Sequence, residues 1–324
     1  MKETIDYISI LGPTASGKSR LALMLADMLP IEIISVDSVS VYQGLDIGSA
    51  KPTRIERGSV PHHLIDICDL SSIYTAGQFL DAANNLIVDI QSRGKLPVFC
   101  GGTLMYMKAL QKNYQNLPVI EGAVEESVAL LYQTEGVAGV FQALAQEDPV
   151  MAAKLHPNDS QRLQRALAVV RSTGRSLQEF WKSQGDSRFK GLDFLLLVED
   201  RARHKVILEQ RIEGMLQEGF EDECRGLLKH YGAEIVTHPA LKSIGYREML
   251  LYCKGEWSLS VAKERMLVSS SQFVKRQMTW LNRWDNARQI SSSLVYDNKG
   301  FIDLARMVVE TVQRYNYTQG KYSQ

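Results

Sequence analysis

The sequence predicts an α/β protein, a parallel sheet flanked by helices and carrying an all-helical insertion. Three observations predict it. Short apolar or β-branched runs alternate with turn residues and helix-period patterns, the rhythm of βα units. One strand-to-helix junction is Gly12-Pro13-Thr14-Ala15-Ser16-Gly17-Lys18-Ser19, a P-loop. Between residues 119 and 191 the alternation stops and only helical periodicity remains.

Tyr7 to Leu11 reads as the first core strand and Arg20 to Leu29 as a helix ended by Pro30. In the loop between them, glycines and small residues let successive N–H groups turn around a phosphate. Lys18 adds a point charge and Ser19 a hydroxyl for Mg²⁺. Four fixed positions match by chance in ~1% of such chains, and the flanking strand and helix make chance less frequent still. Glu32 to Val36 is the second strand and stops at Asp37-Ser38, where the carboxyl end of a strand meets the ligand crevice. Asp37 reads as a functional carboxylate, a solvated loop aspartate or an N-cap.

Val39 to Asp69 reads as a long loop with short pieces of structure. His62 and His63 point apart on a strand and lack a ligand set, so they read as structural. Asp66 is expected on a strand, where it either orients Mg²⁺ through water or stays structural. Tyr74 to Ser92 is a helix. Leu96 to Cys100 is the third strand, entering Gly101-Gly102-Thr103, where the paired glycines admit close approach and Thr103 either caps the next helix or places its hydroxyl in the crevice.

In the insertion, Glu125 to Gln146 and Met151 to Ser172 are helical in pattern, with Leu163, Ala166, Leu167 and Val170 as a core stripe. Arg162 and Arg165 lie one turn apart on the non-core side, as a solvated basic face or a contact to phosphates. After the strand Phe194 to Val198, Arg203 to Leu216 is a helix with Arg211 at the edge of its buried stripe. Ala240 to Tyr252 reads as a helix with Gly245 in mid-course, where glycine costs ~1 kcal/mol against alanine and suggests close approach. Ser258 to Trp284 is a long helix with Phe273, Trp280, Leu281 and Trp284 as its apolar seam. Lys275, Arg276, Gln277 and Arg283 form its polar, basic surface.

The chain has 324 residues, with Lys+Arg 37 against Asp+Glu 37, so any nucleic-acid contact rests on local patches. Four separated cysteines without a C-x-x-C pair argue against zinc and disulfides. No apolar run reaches the ~18 residues of a membrane span, so a cytoplasmic protein with no membrane partner is expected, as a monomer. A P-loop beside a carboxylate and a Gly-Gly-Thr corner suits a transferase. It is either a small-molecule kinase, with Asp37 activating a hydroxyl, or an enzyme for which diphosphate is the leaving group. Without a Walker-B-type acidic strand end, an NTP-driven switch is disfavoured.

Six blocks of the chain closely resemble bacterial tRNA dimethylallyltransferases, in the same order. They are the P-loop, Ile34 to Ser38 with Tyr42 to Gly48 and Ala50 to Pro52, Val98 to Thr103, His156 to Asp159 with Gln161 to Arg165, Gly245 to Arg247, and Lys275 to Leu281. The resemblance implies transfer of the dimethylallyl group from dimethylallyl diphosphate to N6 of adenosine 37 in tRNAs reading codons that start with U. The P-loop that suggests ATP on its own would then cradle a prenyl diphosphate. Free adenine nucleotide as acceptor is the nearest alternative, and a P-loop kinase the more distant one.

The resemblance further implies that Asp37 is the general base, Thr103 contacts the oxygen bridging prenyl and diphosphate, and Lys18 and Arg211 bind the diphosphate with Mg²⁺ near Ser19. Gly12, Pro13, Thr14, Ala15, Ser16 and Gly17 complete the cradle. The tRNA site would comprise Asp37, Ser38, Val39, Ser40 and Thr103, Gln161, Arg162, Leu163, Gln164 and Arg165, Lys242, Gly245, Tyr246 and Arg247, and Lys275, Arg276, Gln277 and Trp280. Residues 1–118 and 192–324 would form the catalytic core, and 119–191 a helical insertion contacting tRNA. Ser19 keeps the hydroxyl where many relatives have threonine, while Ile207 and Asn282 stand where relatives often carry arginine.

Overall fold

A computed structural model describes residues 3–113, 118, 120–182, 187–291 and 297–317. The chain divides into two units, Met1–Lys108 with Arg188–Gln324, and Ala109–Ser187.

The first unit opens with β1 (Thr4–Ile5) and β2 (Tyr7–Leu11), followed by α1 (Lys18–Ala26), β3 (Ile31–Val36), α2 (Arg54–Ser59) and β4 (His62–His63). Next come α3 (Ala76–Ser92), β5 (Leu96–Gly101) and α4 (Leu104–Lys112), within which the first unit ends. The second unit holds α5 (Gly122–Glu147), α6 (Pro149–Ala152), α7 (Ser160–Thr173) and α8 (Leu177–Lys182). The chain then returns to the first with β6 (Gly191–Leu197), α9 (Arg201–Gln217), α10 (Phe220–Tyr231), α11 (Tyr246–Cys253), α12 (Leu259–Leu281), β7 (Arg288–Ser291), α13 (Asn298–Val312) and β8 (Asn316–Tyr317).

Six strands pair in the order β4-β3-β5-β2-β6-β7, all parallel, and β1 pairs separately with β8. Every residue of β2 is buried, as the centre of a parallel sheet covered on both faces requires. Gly101 is in register with both Leu11 and Val36, so β2, β5 and β3 end at one level. The segments after them, from Gly12, Asp37 and Gly102, therefore emerge side by side.

Local chemistry sets several boundaries. Thr53 with Glu56 and Thr75 with Gln78 form capping boxes that start α2 and α3, so α3 begins at Ala76 rather than Tyr74. The helical pattern over Met151 to Ser172 divides in two, and the second helix starts from the His156-Pro157-Asn158-Asp159 stretch, as expected. A short α6 ends at Ala152, and α7 starts beyond Pro157, with the Asp159 side chain accepting from the Arg162 amide. Gly245 is not in mid-helix. It precedes α11 at φ 98, a left-handed conformation that glycine adopts without penalty.

Ile8, Ile10, Leu21, Leu25, Val98, Phe194 and Leu304 belong to the core around the sheet. A second apolar cluster, including Phe220, Tyr246, Met249 and Met266, joins α9 to α12 with the loop around Tyr42 and Leu45. The second unit has its own core, in which Leu163 is fully buried with Val140, Leu144 and Leu167. Leu163, expected in the tRNA site, is thus a packing residue. On α12 the expected seam is only half right. Leu281 and Trp284 are buried, but Trp280 is 43% exposed, and Ala262, Met266, Val274 and Gln277 complete the buried face.

Candidate active site

A cavity of about 820 Å³ in the first unit opens over the carboxyl ends of β2, β3 and β5. Thr14 to Ser19, Asp37 to Ser40, Thr103 and Arg211 all line it, as do Lys242, Gly245, Arg276 and Gln277. Gly12, Pro13, Tyr246, Arg247, Lys275 and Trp280 are not among its walls, and Gln161 to Arg165 belong to the second unit.

The loop after β2 is shaped as an anion nest. Ala15 at φ 60 and Gly17 at φ 86 turn successive amides inward, and Gly17 stands at the amino end of α1. Gly12 must be glycine, because a Cβ there would lie 2.7 Å from Ser16 Oγ and 2.9 Å from the Leu196 carbonyl. Ser16 Oγ is itself buried without a hydrogen-bond partner among the described residues. Buried hydroxyls are seldom left so, and an anion oxygen in the nest would satisfy it.

Lys18 donates to the Pro13 carbonyl. Burial lowers its pKa to about 8 against the pull of Cys100 and Asp37, and the Arg211 charge lowers it too. The Arg211 pKa is lowered by burial, while Asp37 favours its charge. Two cations facing one cavity at this cost are poised for an anion carrying more than one charge. Ile207, one turn earlier, also lines the cavity but brings no charge.

Asp37 Oδ1 accepts from the Val39 and Ser40 amides at 2.8 and 3.1 Å, which fixes the carboxylate in a turn. Oδ2 makes no hydrogen bond to the described residues. The Ser38 amide donates to Thr103 Oγ1 at 3.2 Å, tying the ends of β3 and β5. The glycine pair has two reasons. A Cβ on Gly101 would lie 2.1 Å from the Val36 carbonyl, and one on Gly102 would lie 2.6 Å from Gln277 Nε2. Gln277, expected on the polar surface of α12, is instead buried, with its amide between Thr14 and Gly102.

Two expected site residues serve the walls. The Tyr246 hydroxyl, fully buried, donates to Glu223 Oε1, and that carboxylate also accepts from the Asp46, Ile47 and Gly48 amides at 2.7 to 3.2 Å. Glu223 thereby anchors the loop whose Gly48 to Ala50 segment borders the cavity. No motif marks it in the sequence. Asp66 is not on a strand. It sits at φ 57 and pairs with Lys51 at 2.6 Å and Arg57 at 2.6 Å, so its charge is spent on holding the loop rather than facing a metal. His63 pairs with Glu32, and His62 Nδ1 lies 2.9 Å from the Val60 carbonyl, both structural.

Among the described residues no group of three or more His, Cys, Asp or Glu side chains can hold a metal ion. The exposed Ser19 hydroxyl fits Mg²⁺ only as one ligand beside water and substrate oxygens, the coordination Mg²⁺ favours.

A central parallel strand feeding a nest of inward-turned amides, with a carboxylate and a threonine on its neighbours' ends, defines an α/β protein with an anion-binding corner beside a carboxylate. The IPP transferase family model matches residues 40–284, and the chain belongs to that family. Curated tRNA dimethylallyltransferases of Methylococcus capsulatus and Hydrogenovibrio crunogenus are each 41% identical, over 87% and 85% of this chain and 90% and 86% of their own. The full-length tRNA isopentenylpyrophosphate transferase of Bacillus halodurans superposes with a TM-score of 0.69 at 30% identity, covering 97% of both chains. A eukaryotic dimethylallyltransferase acting on tRNA gives a TM-score of 0.80 at 26% identity, over 98% of this chain and 81% of that one.

Proposed function

We propose that the protein is a tRNA dimethylallyltransferase that moves the dimethylallyl group of dimethylallyl diphosphate to N6 of adenosine 37 in tRNAs reading codons that start with U. The observation that carries this reading is the convergence of the anion nest, Asp37 and Thr103 on one cavity.

The N6 nitrogen attacks C1 of the prenyl group, the C1–O bond breaks, and diphosphate leaves. Asp37 takes the N6 proton on the carboxylate oxygen left free by its turn, while the amides of Val39 and Ser40 hold the other. Lys18, Arg211 and the nest amides stabilise charge growing on the diphosphate, and Thr103, oriented by the Ser38 amide, meets the bridging oxygen. Bound at Ser19 and the diphosphate, Mg²⁺ would supply further charge neutralisation there.

The acceptor base reaches Asp37 by leaving the anticodon-loop stack, at a cost of a few kcal/mol for a single-stranded loop. Exposed cations on several elements, including Arg162, Lys242, Arg247, Lys275 and Arg276, supply the grip on RNA, and the insertion takes part in it. No helix among the described residues is long and apolar enough to cross a membrane, and tRNA as substrate supports a cytoplasmic location. The test is incubation with labelled dimethylallyl diphosphate and either unmodified tRNA or AMP. Label is expected in tRNA; label in AMP alone refutes the reading.

A further inference from the structure

One residue of the P-loop is held from both sides by side chains far away in sequence. His204 on α9 is 3% exposed, and its Nε2 lies 3.0 Å from the Thr14 carbonyl. A carbonyl only accepts, so Nε2 carries the proton and donates. Gln277 on α12 is 4% exposed; its Oε1 accepts from the Thr14 amide at 3.1 Å, and its Nε2 donates to the Gly102 carbonyl at 2.9 Å. Both peptide groups flanking Thr14 are therefore fixed by C-terminal helices.

The next residue shows what this fixing opposes. Ala15 has φ 60, a left-handed conformation that costs a residue with a Cβ about 1 to 2 kcal/mol. It reverses the chain so that the following amides point into the nest. The Thr14 amide, by contrast, is already taken by Gln277 and does not belong to the anion's donor set. Burial lowers the pKa of His204 against the hydrogen bond to Thr14, and the Lys18 charge lowers it further, so the ring does not add a third cation.

We propose that His204 and Gln277 are positioning residues that hold Thr14, keeping the diphosphate nest open before substrate arrives, and that Gln277 also sets the spacing between the nest and the Gly101–Thr103 corner. The proposal rests on the diphosphate reading of this site. It assigns Gln277 a role in binding the prenyl donor rather than in contacting RNA.

The experiment is calorimetric titration of the full-length protein with inorganic pyrophosphate in the absence of tRNA. Gln277→Leu and His204→Leu are each expected to weaken pyrophosphate about tenfold, the loss of roughly one well-placed hydrogen bond. His204→Gln, whose amide N–H can reach the same carbonyl, is expected to recover most of that loss. In steady-state assays KM for dimethylallyl diphosphate rises while KM for tRNA holds. Pyrophosphate affinity unchanged in both leucine variants overturns the proposal, as does a His204→Gln protein as weak as His204→Leu. Weakened tRNA binding with intact pyrophosphate binding in Gln277→Leu would mark Gln277 as an RNA contact instead. Should the leucine variants not fold, Gln277→Glu keeps the acceptor toward Thr14 but sets a carboxylate against the Gly102 carbonyl. The same loss is expected there, and wild-type affinity refutes the clamp. Failure of the wild-type protein to bind pyrophosphate at all sinks the diphosphate reading, not the clamp alone.

Discussion

The Ser38 amide donates to the Thr103 hydroxyl at 3.2 Å, so the residue following the acid just past β3 is tied to the corner that ends β5. The Asp37 carboxylate and the Thr103 hydroxyl are thereby referenced to the same two strand ends. The Thr103 hydroxyl in turn donates to Ser38 Oγ at a long 3.5 Å, a contact that an incoming oxygen can replace. Thr103→Val retains the shape but loses both bonds, and kcat is expected to fall about tenfold to a hundredfold. Single-turnover rates with saturating tRNA check it.

Asp37→Asn keeps an acceptor for the Val39 and Ser40 amides but removes the proton acceptor. A drop of about 10² to 10⁴ in kcat is expected, with tRNA affinity within a few-fold of wild type. Rapid-quench measurement of prenyl transfer beside filter binding of tRNA separates the two, and undiminished turnover would contradict the assignment.

Lys18 predicts a pH signature. Its pKa falls from 10.5 to about 8 in the folded protein, chiefly through burial. In the free enzyme the Lys18 charge is complete well below pH 8 and disappears as pH rises through it. Accordingly kcat/KM for dimethylallyl diphosphate should decline above about pH 8. Diphosphate binding restores the charge, so pyrophosphate should take up a proton on binding near pH 8 to 9, roughly, visible as a heat that depends on buffer ionisation enthalpy. Stability has the opposite sign. The unfolded chain holds the Lys18 proton up to 10.5, so this residue disfavours folding less as pH climbs from 8 to 10.5.

Glu32, 3% exposed on β3, accepts from Arg93 at 2.7 and 3.1 Å and meets His63 and Lys95. Burial alone would raise its pKa, but the hydrogen bonds from Arg93, His63 and Lys95 and the Arg93 charge bring it from 4.5 down to about 2. Its contribution is therefore complete above pH 4.5 and lost as pH falls through 2. Glu32→Gln is expected to cost about 2 kcal/mol at neutral pH. The gap to wild type, read from urea midpoints, should close on acidification below pH 4.5.

Lys275 and Arg276 are exposed on α12. Replacing either with alanine should weaken tRNA binding and reduce the salt slope by about 0.7 per lost phosphate contact to a single-stranded loop. Unaltered slopes across a salt series would remove them from the RNA interface.

Much of this architecture is readable in the chain because its signals are local. The four core strands are short apolar runs, the P-loop is contiguous, and Asp37 and the Gly-Gly-Thr corner sit where strand carboxyl ends belong. What escapes reading depends on distance. His204 is one histidine in a helical pattern, and nothing nearby says that it meets a carbonyl 190 residues earlier. Gln277 shares its stretch with Lys275 and Arg276 and so reads as surface, although one helical position turns it inward. Gly245 misleads for a different reason. Periodicity continues across it, while the break lies in a backbone angle that periodicity does not encode.

The strand order has a consequence for the newborn chain. β2 needs β6 on one side, and β6 begins at Gly191; β1 finds its partner β8 only at Asn316. A polypeptide emerging from the ribosome thus carries its phosphate loop long before His204 and Gln277 exist to hold it. The insertion, whose helices pack on neighbours close in sequence, can mature while the sheet still waits for its second half. Synthesis of substrate-competent enzyme is then gated by the last third of the message.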